Sequence, residues 1–181
     1  MDRERAIRLM EQKLTNDNLK KHVLAVSAVM RALARRFGAD ELEWEVAGLL
    51  HDLDYEVTLD QPDRHGLVSG DWLAELGVKP EIVQAVKAHA DKAPRESRMD
   101  KALYCADPVT GFLVACALVR PEKKLAPVEV PFAMKRMKEK RFAAGADRDR
   151  IRACQELGLS LEEFMEISLS AMKEIHRELG L

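Results

Sequence analysis

Four residues at separated positions have side chains of the types that bind a catalytic metal ion. His51 and Asp52 are adjacent at the end of an apolar segment, His22 flanks the buried stripe of an earlier one, and Asp107 precedes a proline. Two imidazoles and two carboxylates leave coordination positions open for water and substrate, as catalytic sites need. Burying these groups without a cation would be strongly unfavourable. The residue types therefore predict a metal site at His22, His51, Asp52 and Asp107.

Two further histidines, His65 and His89, are candidates for a second ion. If the Asp52 carboxylate bridges, these imidazoles could hold an ion about 3.5–4 Å from the first, and the pair would clamp an attacking hydroxide and a phosphoryl oxygen. The plainer alternatives are that His65 begins a helix and that His89 stabilises a helix end as a cation. The predicted cofactor is one or two divalent transition-metal ions per chain, from Mn, Fe, Co or Zn.

The hydrophobic pattern predicts the elements that must position these side chains. Apolar residues recur every three or four positions from Leu19 to Phe37, which predicts a helix with one buried face. Residues 15–17 can cap its start and Gly38 can end it. Since no stretch alternates convincingly with period two, the fold class predicted is all-α. The other helices are expected at about 3–14, 40–52, 65–76, 80–90, 98–107, 132–143, 148–157 and 161–179, with a buried helix through 112–119.

Two loops and a proline divide these helices. Residues 55–64 and 121–131 are predicted as loops, and Pro108 is expected to end the helix at Asp107. We predict one domain over residues 1–181, in which residues 15–120 form the metal-binding core and residues 121–181 form a C-terminal helical appendage. The apolar side chains of the last helix are compatible with a homodimer.

Composition excludes several classes of protein. Hydrophobic residues make up 47% of the 181 residues and charged residues 33%, which is typical of a folded globular chain. A net charge of -2 gives no reason to expect a nucleic-acid partner. The longest apolar run, Phe112 to Val119, is far shorter than the roughly 20 residues that span a bilayer, so no membrane partner is expected. The charged N-terminus and three unpatterned cysteines favour a cytoplasmic protein.

Positive charge is concentrated in the segment 120–152. It holds eleven Lys or Arg against five Asp or Glu, and residues 135–141 are its densest part. This segment could attract a phosphorylated substrate, or it could simply be an exposed helix face. Arg64, Lys92 and Arg95 lie closer in sequence to the candidate ligands, and we predict them as phosphate contacts.

Three short segments around the candidate ligands resemble the HD-domain metal-dependent phosphohydrolases. They are Asn-Leu-Lys-Lys-His at 18–22, Ala-Gly-Leu-Leu-His-Asp at 47–52 and Ala-Leu-Tyr-Cys-Ala-Asp at 102–107. The resemblance covers about residues 15–110 and implies a helical bundle with the metal in its middle. By this resemblance, the four ligands of the family pattern are His22, His51, Asp52 and Asp107. The two extra histidines of members with a binuclear centre correspond to His65 and His89.

The chain departs from the family immediately after the His-Asp pair. Many members continue with an aliphatic residue, glycine and lysine, whereas here the continuation is Leu53, Asp54, Tyr55 and Glu56. Tyr55 stands at the lysine position, and also where some nucleotidase members have a glutamate. Asp54 is then the best candidate for a supporting or proton-relaying carboxylate, and Asp52 and Asp54 are the predicted catalytic residues.

The resemblance implies a function and leaves two alternatives. The leading expectation is a phosphohydrolase that uses metal-activated water on a small phosphorylated substrate, such as a nucleotide. The same six ligands could instead hold a binuclear iron centre for oxygenation, as in some proteins that resemble this family. The third reading is a non-catalytic, metal-stabilised nucleotide-binding or sensing module.

Overall fold

The chain folds into ten α-helices joined by loops and 3-10 turns, with no strand, and the computed structural model describes residues 1–181. This confirms the predicted all-α fold class. The helices are α1 Arg3–Lys13, α2 Asp17–Phe37, α3 Glu41–Leu50, α4 Leu67–Glu75, α5 Pro80–His89, α6 Arg98–Leu118, α7 Val130–Arg136, α8 Arg148–Arg152, α9 Leu161–Glu174 and α10 His176–Leu179. The 3-10 turns are Tyr55–Val57, Pro62–Arg64 and Ala153–Leu157.

Helix α2 forms the centre of the bundle, as its long apolar stripe predicts. The Asn16 side chain accepts hydrogen bonds from two backbone N–H groups at its start, and Gly38 ends it in the left-handed conformation with φ 64°. Helix α3 packs tightly against α2 at Gly48, where an added Cβ would lie 2.6 Å from the Ser27 Cα. A glycine is therefore required at this crossing, and it brings the end of α3 close to α2.

Helix α6 corrects the expectation that Pro108 ends a helix at Asp107. The helix runs without a break from Arg98 to Leu118, with Pro108 in its interior. An interior proline costs about 3 kcal/mol, but burying side chains such as Leu103 and Phe112 stabilises the fold by about 1.5–3 kcal/mol each. Both of these side chains are fully buried, on either side of the proline. The packing of the whole helix thus outweighs the local preference.

Helix α6 is also the one helix that is long and apolar enough to cross a membrane by length and composition. More than half of its apolar window is buried inside the bundle, and the helix packs against α2 and α5. Its apolar character is therefore explained by its place in the core.

The C-terminal third has shorter helices than the periodicity predicts. Helix α7 ends at Arg136 and not near residue 143. In the turns that follow, the Arg148 guanidinium donates hydrogen bonds to the backbone carbonyls of Phe142 and Ala146. The predicted helix 148–157 is divided into α8 and a 3-10 turn, and the predicted helix 161–179 is interrupted at Ile175.

One hydrophobic core holds the helices together. The cluster of buried apolar side chains extends from Ala6 in α1 to Leu179 in α10 and includes Ile151 and Phe164 from the C-terminal part. The C-terminal helices therefore pack on the same core as α2, α3 and α6. All three cysteines are buried.

Candidate metal centre

Five segments of the chain deliver the six predicted ligands to one place. α2 carries His22, the turn after α3 carries His51 and Asp52, the loop before α4 carries His65, α5 ends with His89, and α6 carries Asp107. The ligand atoms of His22, His51 and Asp107 lie within 4.8 Å of one another, and so do those of His51, Asp52 and His89. The Nε2 of His65 lies 3.4 Å from Asp52 Oδ1, so the structure brings together all six predicted ligands.

The end of α3 explains how adjacent residues can face the same centre. The helix ends at Leu50, and His51 and Asp52 lie in the turn that follows, where the Asp52 carbonyl accepts a hydrogen bond from the Tyr55 N–H. His51 keeps right-handed helical backbone angles (φ -64°, ψ -35°), and Asp52 follows it at the end of the helix. His51 is fully buried and Asp52 is nearly so.

Two of the imidazoles are oriented by backbone carbonyls. The Nδ1 of His51 donates to the Gly48 carbonyl at 2.8 Å, and the Nδ1 of His89 donates to the Val86 carbonyl. Because a carbonyl can only accept, each ring carries its proton on Nδ1 and leaves the Nε2 lone pair free. Both Nε2 atoms are buried and have no hydrogen-bond partner in the protein.

The other two imidazoles are oriented by side chains. The Nδ1 of His65 donates to Asp54 Oδ1 at 2.9 Å. The Nδ1 of His22 lies 3.2 Å from the Thr110 hydroxyl, which itself donates to the Asp107 carbonyl at 2.9 Å. Since the Thr110 proton is used in that way, its oxygen accepts from His22, and the Nε2 of this ring is also left free.

The Asp52 carboxylate lies between two pairs of imidazoles. Its Oδ1 is 3.4 Å from the Nε2 of His65 and 3.3 Å from that of His89. Its Oδ2 is 3.6 Å from the Nε2 of His22 and 3.4 Å from that of His51. Each oxygen of one carboxylate thus faces a different pair of ring nitrogens.

The Asp107 carboxylate completes the first of these two groups. Its Oδ1 lies 3.2 Å from His22 Nε2 and 4.0 Å from His51 Nε2. Its Oδ2 accepts a hydrogen bond of 3.1 Å from Arg150. One group therefore offers two imidazoles and two carboxylates, and the other offers two imidazoles and the shared Asp52.

The donor set fits divalent metal ions. A lone pair on each Nε2 faces a carboxylate oxygen across 3.2–3.6 Å, a repulsive arrangement that a metal ion or a proton between the two atoms would relieve. Ligands at about 2.1 Å from one ion are about 3.0–3.4 Å apart, which matches these separations. The unpartnered buried Nε2 atoms of His51 and His89 support the same conclusion.

The electrostatics of the protein alone favour an ionised Asp52 and a neutral His51, whereas the carboxylates beside His22 and His65 outweigh the desolvation of those rings and raise their pKa. Burial raises the pKa of Asp52, but the surrounding histidines, His51 foremost, outweigh it and hold this pKa below its ordinary range. Burial lowers the pKa of His51 to about 4, so that this ring stays neutral near neutral pH. A neutral imidazole beside an ionised carboxylate is the form in which both groups bind metal.

Asp54, predicted as a catalytic or relaying carboxylate, supports His65. It is fully buried, and besides His65 it accepts hydrogen bonds from the backbone N–H groups of Gly66 at 2.8 Å and Ser69 at 2.9 Å. Burial raises its pKa, but the contacts with His65 and Ser69 together outweigh this and keep the pKa below the ordinary value. The geometry gives Asp54 an orienting contact, and its part in catalysis stays a prediction.

A cavity of about 700 Å³ opens onto the centre. Tyr55 and Leu59 are 45% and 63% exposed, and the Tyr55 ring lies edge-to-face on His65 with centroids 5.7 Å apart. Glu56 accepts hydrogen bonds from the backbone and hydroxyl of Thr15, so its oxygens are engaged. The lining residues are Asn16, Asn18, Leu19, His22, Asp52, Tyr55, Glu56, Leu59, His65, Asp107 and Arg150.

The structure does not bring the three cations predicted as phosphate contacts to this cavity. Arg64 is exposed and hydrogen-bonds Gln61, and Arg95 pairs with Asp91 and Glu156. Neither these two nor Lys92 lines the cavity, and their role in substrate binding stays a prediction.

Arg150 is the one Lys or Arg residue of the cavity, and it was not among the residues predicted from the sequence to contact the substrate. It belongs to the basic segment 120–152, whose positive charge could have indicated a substrate contact, but it lies outside the dense part at 135–141. No residue of 135–141 lines the cavity, and Arg136 of that part instead pairs with Glu139. The folding of α8 against α6 is what brings Arg150 to Asp107.

Comparison with known proteins identifies the family. A model of the HD domain matches residues 19–148, which is more than half of the chain. The chain is also similar to Ribonuclease Y of Oleidesulfovibrio alaskensis (28% identity over 96 residues) and of Desulfotalea psychrophila (31% over 94 residues). These matches cover 53% and 52% of this chain but only 18% of each relative, so the chain spans less than a fifth of those proteins. The matched segment contains all six candidate ligands. The chain therefore belongs to the HD domain family, a superfamily of metal-dependent hydrolases.

Proposed function

We propose that this protein hydrolyses a small phosphate ester, with a nucleotide as the leading substrate class, at a centre of two divalent transition-metal ions. The observation that carries the proposal is the position of Asp52, whose two oxygens face two separate pairs of imidazole Nε2 atoms. Such a bridging carboxylate is what two ions about 3.5–4 Å apart require.

The residues divide between the two ions. His22, His51, Asp107 and Oδ2 of Asp52 would hold one ion, and His65, His89 and Oδ1 of Asp52 would hold the other. When bound, the ions supply Lewis acidity at the phosphoryl group and lower the pKa of water at neutral pH.

The protein's own groups orient this centre and leave few acid or base groups on the cavity wall. Hydrogen bonds at Nδ1 fix all four rings, so that each Nε2 lone pair is directed to the centre without rearrangement. The oxygens of Glu56 are occupied by Thr15 and Asn16, and Asp54 is buried behind His65. The cavity wall therefore offers no free carboxylate that could act as a base. The attacking water would then be activated at the metal centre.

The cavity supports a substrate of nucleotide size. A volume of about 700 Å³ is within the range of 300–1,000 Å³ typical of small-molecule sites. The exposed Tyr55 and Leu59 offer apolar surface to a base or another organic group, beside a polar centre that would take the phosphate. Because the curated relatives are ribonucleases, a short RNA is the second substrate to test.

The proposal is tested by metal analysis and turnover on the same preparations. The wild-type protein is loaded with Mn²⁺ and its content is measured by elemental mass spectrometry, followed by phosphate release from mononucleotides and cleavage of a short RNA. We expect close to two ions per chain, about one in a His65→Ala/His89→Ala variant, and no turnover for Asp52→Ala. His176→Ala is the matched control, because His176 is exposed and contacts only the Lys173 carbonyl.

Several results would contradict the proposal. Retained turnover in Asp52→Ala would show that the centre is not the active site. Metal binding without release of phosphate or RNA fragments would favour the non-catalytic module, and oxygen uptake by iron-loaded protein in its place would favour an oxygenase.

A further inference from the structure

We propose that Arg150 binds the phosphoryl group of the substrate while it positions Asp107, an inference that rests on the proposed function. The family match ends at residue 148, so Arg150 belongs to a part of this chain that the HD domain model does not cover.

Arg150 touches the centre directly. One nitrogen, Nη2, donates to Asp107 Oδ2 at 3.1 Å and to the His89 backbone carbonyl at 2.6 Å. Through these contacts it holds one residue from each of the two ligand groups. It also lines the cavity, and it is the one Lys or Arg among the lining residues.

One donor nitrogen of Arg150 is available to a ligand. Nη1 has no hydrogen-bond partner in the protein and is not buried, whereas Nε is buried and cannot be reached from the cavity. A charged donor without a protein partner can form a charge-assisted hydrogen bond with an anion. A planar guanidinium with free N–H groups matches the oxygens of a phosphoryl group better than an ammonium does.

The surroundings fix the guanidinium in place before any ligand binds. Its Cζ lies 4.4 Å from the centroid of the Tyr104 ring, and that of Arg95 lies 3.8 Å from the same ring. The Asp147 side chain caps α8 by accepting from the backbone N–H of Arg150 at 3.1 Å, and Ile151 is fully buried. Arg95 and Arg150 thus both contact the Tyr104 ring. A cation held in this way loses little conformational entropy on binding.

The charge of the centre also favours an anion at this position. Two divalent ions would exceed the negative charge of Asp52 and Asp107, and Arg150 adds a further positive charge at the wall. A phosphoryl group reaching the ions would lie next to Asp107 and hence next to Arg150. The guanidinium would then stabilise the charge that the phosphoryl oxygens carry in the transition state.

The test measures inorganic phosphate as the ligand. Wild type, Arg150→Ala, Arg150→Lys and Arg152→Ala are loaded with Mn²⁺, their metal content is determined, and phosphate binding is measured by isothermal titration calorimetry. Arg152 is the matched control, since it lies on the same helix and pairs only with the exposed Asp149.

We expect all four proteins to hold both ions at saturating Mn²⁺, with a weaker affinity of Arg150→Ala for the ion next to Asp107, because Arg150 positions that carboxylate. The Kd for phosphate should rise about 10- to 100-fold in Arg150→Ala, the loss expected for one charge-assisted hydrogen bond. Arg150→Lys should lie between that value and wild type, and Arg152→Ala should bind like wild type. If the alanine variant does not fold, the lysine variant carries the same test, because it keeps the charge and loses the planar donors.

Three results separate this inference from the function on which it rests. Unchanged phosphate affinity in Arg150→Ala with both ions present would overturn the inference alone, and so would a wild-type protein that holds both ions but binds no phosphate. Wild-type protein that takes up no metal would overturn the proposed function, and this is known before phosphate is added.

Discussion

Replacing Asp54 by Asn should weaken the second metal site without removing a ligand. Asp54 accepts from His65 Nδ1 at 2.9 Å and from the N–H groups of Gly66 at 2.8 Å and Ser69 at 2.9 Å. An amide has only one oxygen. If it stays with the two backbone donors, its NH₂ group faces His65, and that ring can accept only by moving its proton to Nε2, where the metal lone pair is needed.

The magnitude follows from the position of Asp54 behind a metal ligand. Loss of such an orienting partner lowers metal affinity about 10- to 100-fold, and here the loss should fall on the ion held by His65 and His89. Titration of metal-free protein with Mn²⁺ against a chelating dye should therefore show one site as in wild type and one weakened site. Asp60→Asn is the control, because Asp60 is exposed in the same loop. Equal affinities of Asp54→Asn and wild type for both ions would refute the reasoning.

Two further predictions concern the elements that hold the centre. Gly48→Ala should destabilise the fold by about 1–3 kcal/mol in urea unfolding, because its Cβ would lie 2.6 Å from the Ser27 Cα, whereas Gly111→Ala, with nothing within 4 Å, should not; equal stabilities would refute the tight crossing. Hydrogen bonds from Thr15 and Asn16, the strongest from the Thr15 backbone N–H, lower the pKa of Glu56 below its ordinary value of 4.5, and a smaller desolvation of the carboxylate acts in the opposite direction. The Glu56 contact is therefore fully present above pH 4.5 and is lost only as the pH falls through the lower folded-state pKa. An NMR titration should show the Glu56 carboxyl titrating below 4.5, and titration at or above that value would contradict the contact.

The ligand residues could be predicted from the sequence because few other roles explain buried residues of these types. Adjacent His51 and Asp52 after an apolar run, with further imidazoles and Asp107 elsewhere, are costly to bury without a cation. Spacing alone does not reveal that the oxygens of Asp52 face two separate imidazole pairs. That arrangement depends on the tertiary packing that brings α2, α5, α6 and the loop before α4 to the end of α3.

The error at Pro108 shows where local rules fail. A proline disfavours helix in the residue before it, and this preference alone predicts an end at Asp107. The structure instead carries α6 through to Leu118, because residues on both sides of the proline belong to one buried face. The strength of that packing depends on α2 and α5, which are distant in sequence.

The phosphate contacts show a different limit. Arg64, Lys92 and Arg95 were selected because they lie near His65 and His89 in sequence, but none lines the cavity. Arg150 lies 43 positions from Asp107 and reaches it through the packing of α8. Sequence distance predicts neighbours within one element, whereas a cavity wall is assembled from elements that only the tertiary fold brings together.

Anomalous diffraction from Mn²⁺-loaded crystals would show directly whether the Asp52 carboxylate bridges two ions. Two anomalous peaks about 3.5–4 Å apart are expected, one beside Oδ2 of Asp52 and the His22–His51 pair, the other beside Oδ1 and the His65–His89 pair. A single peak, or two peaks of which neither lies beside the Asp52 carboxylate, would contradict this bridging role.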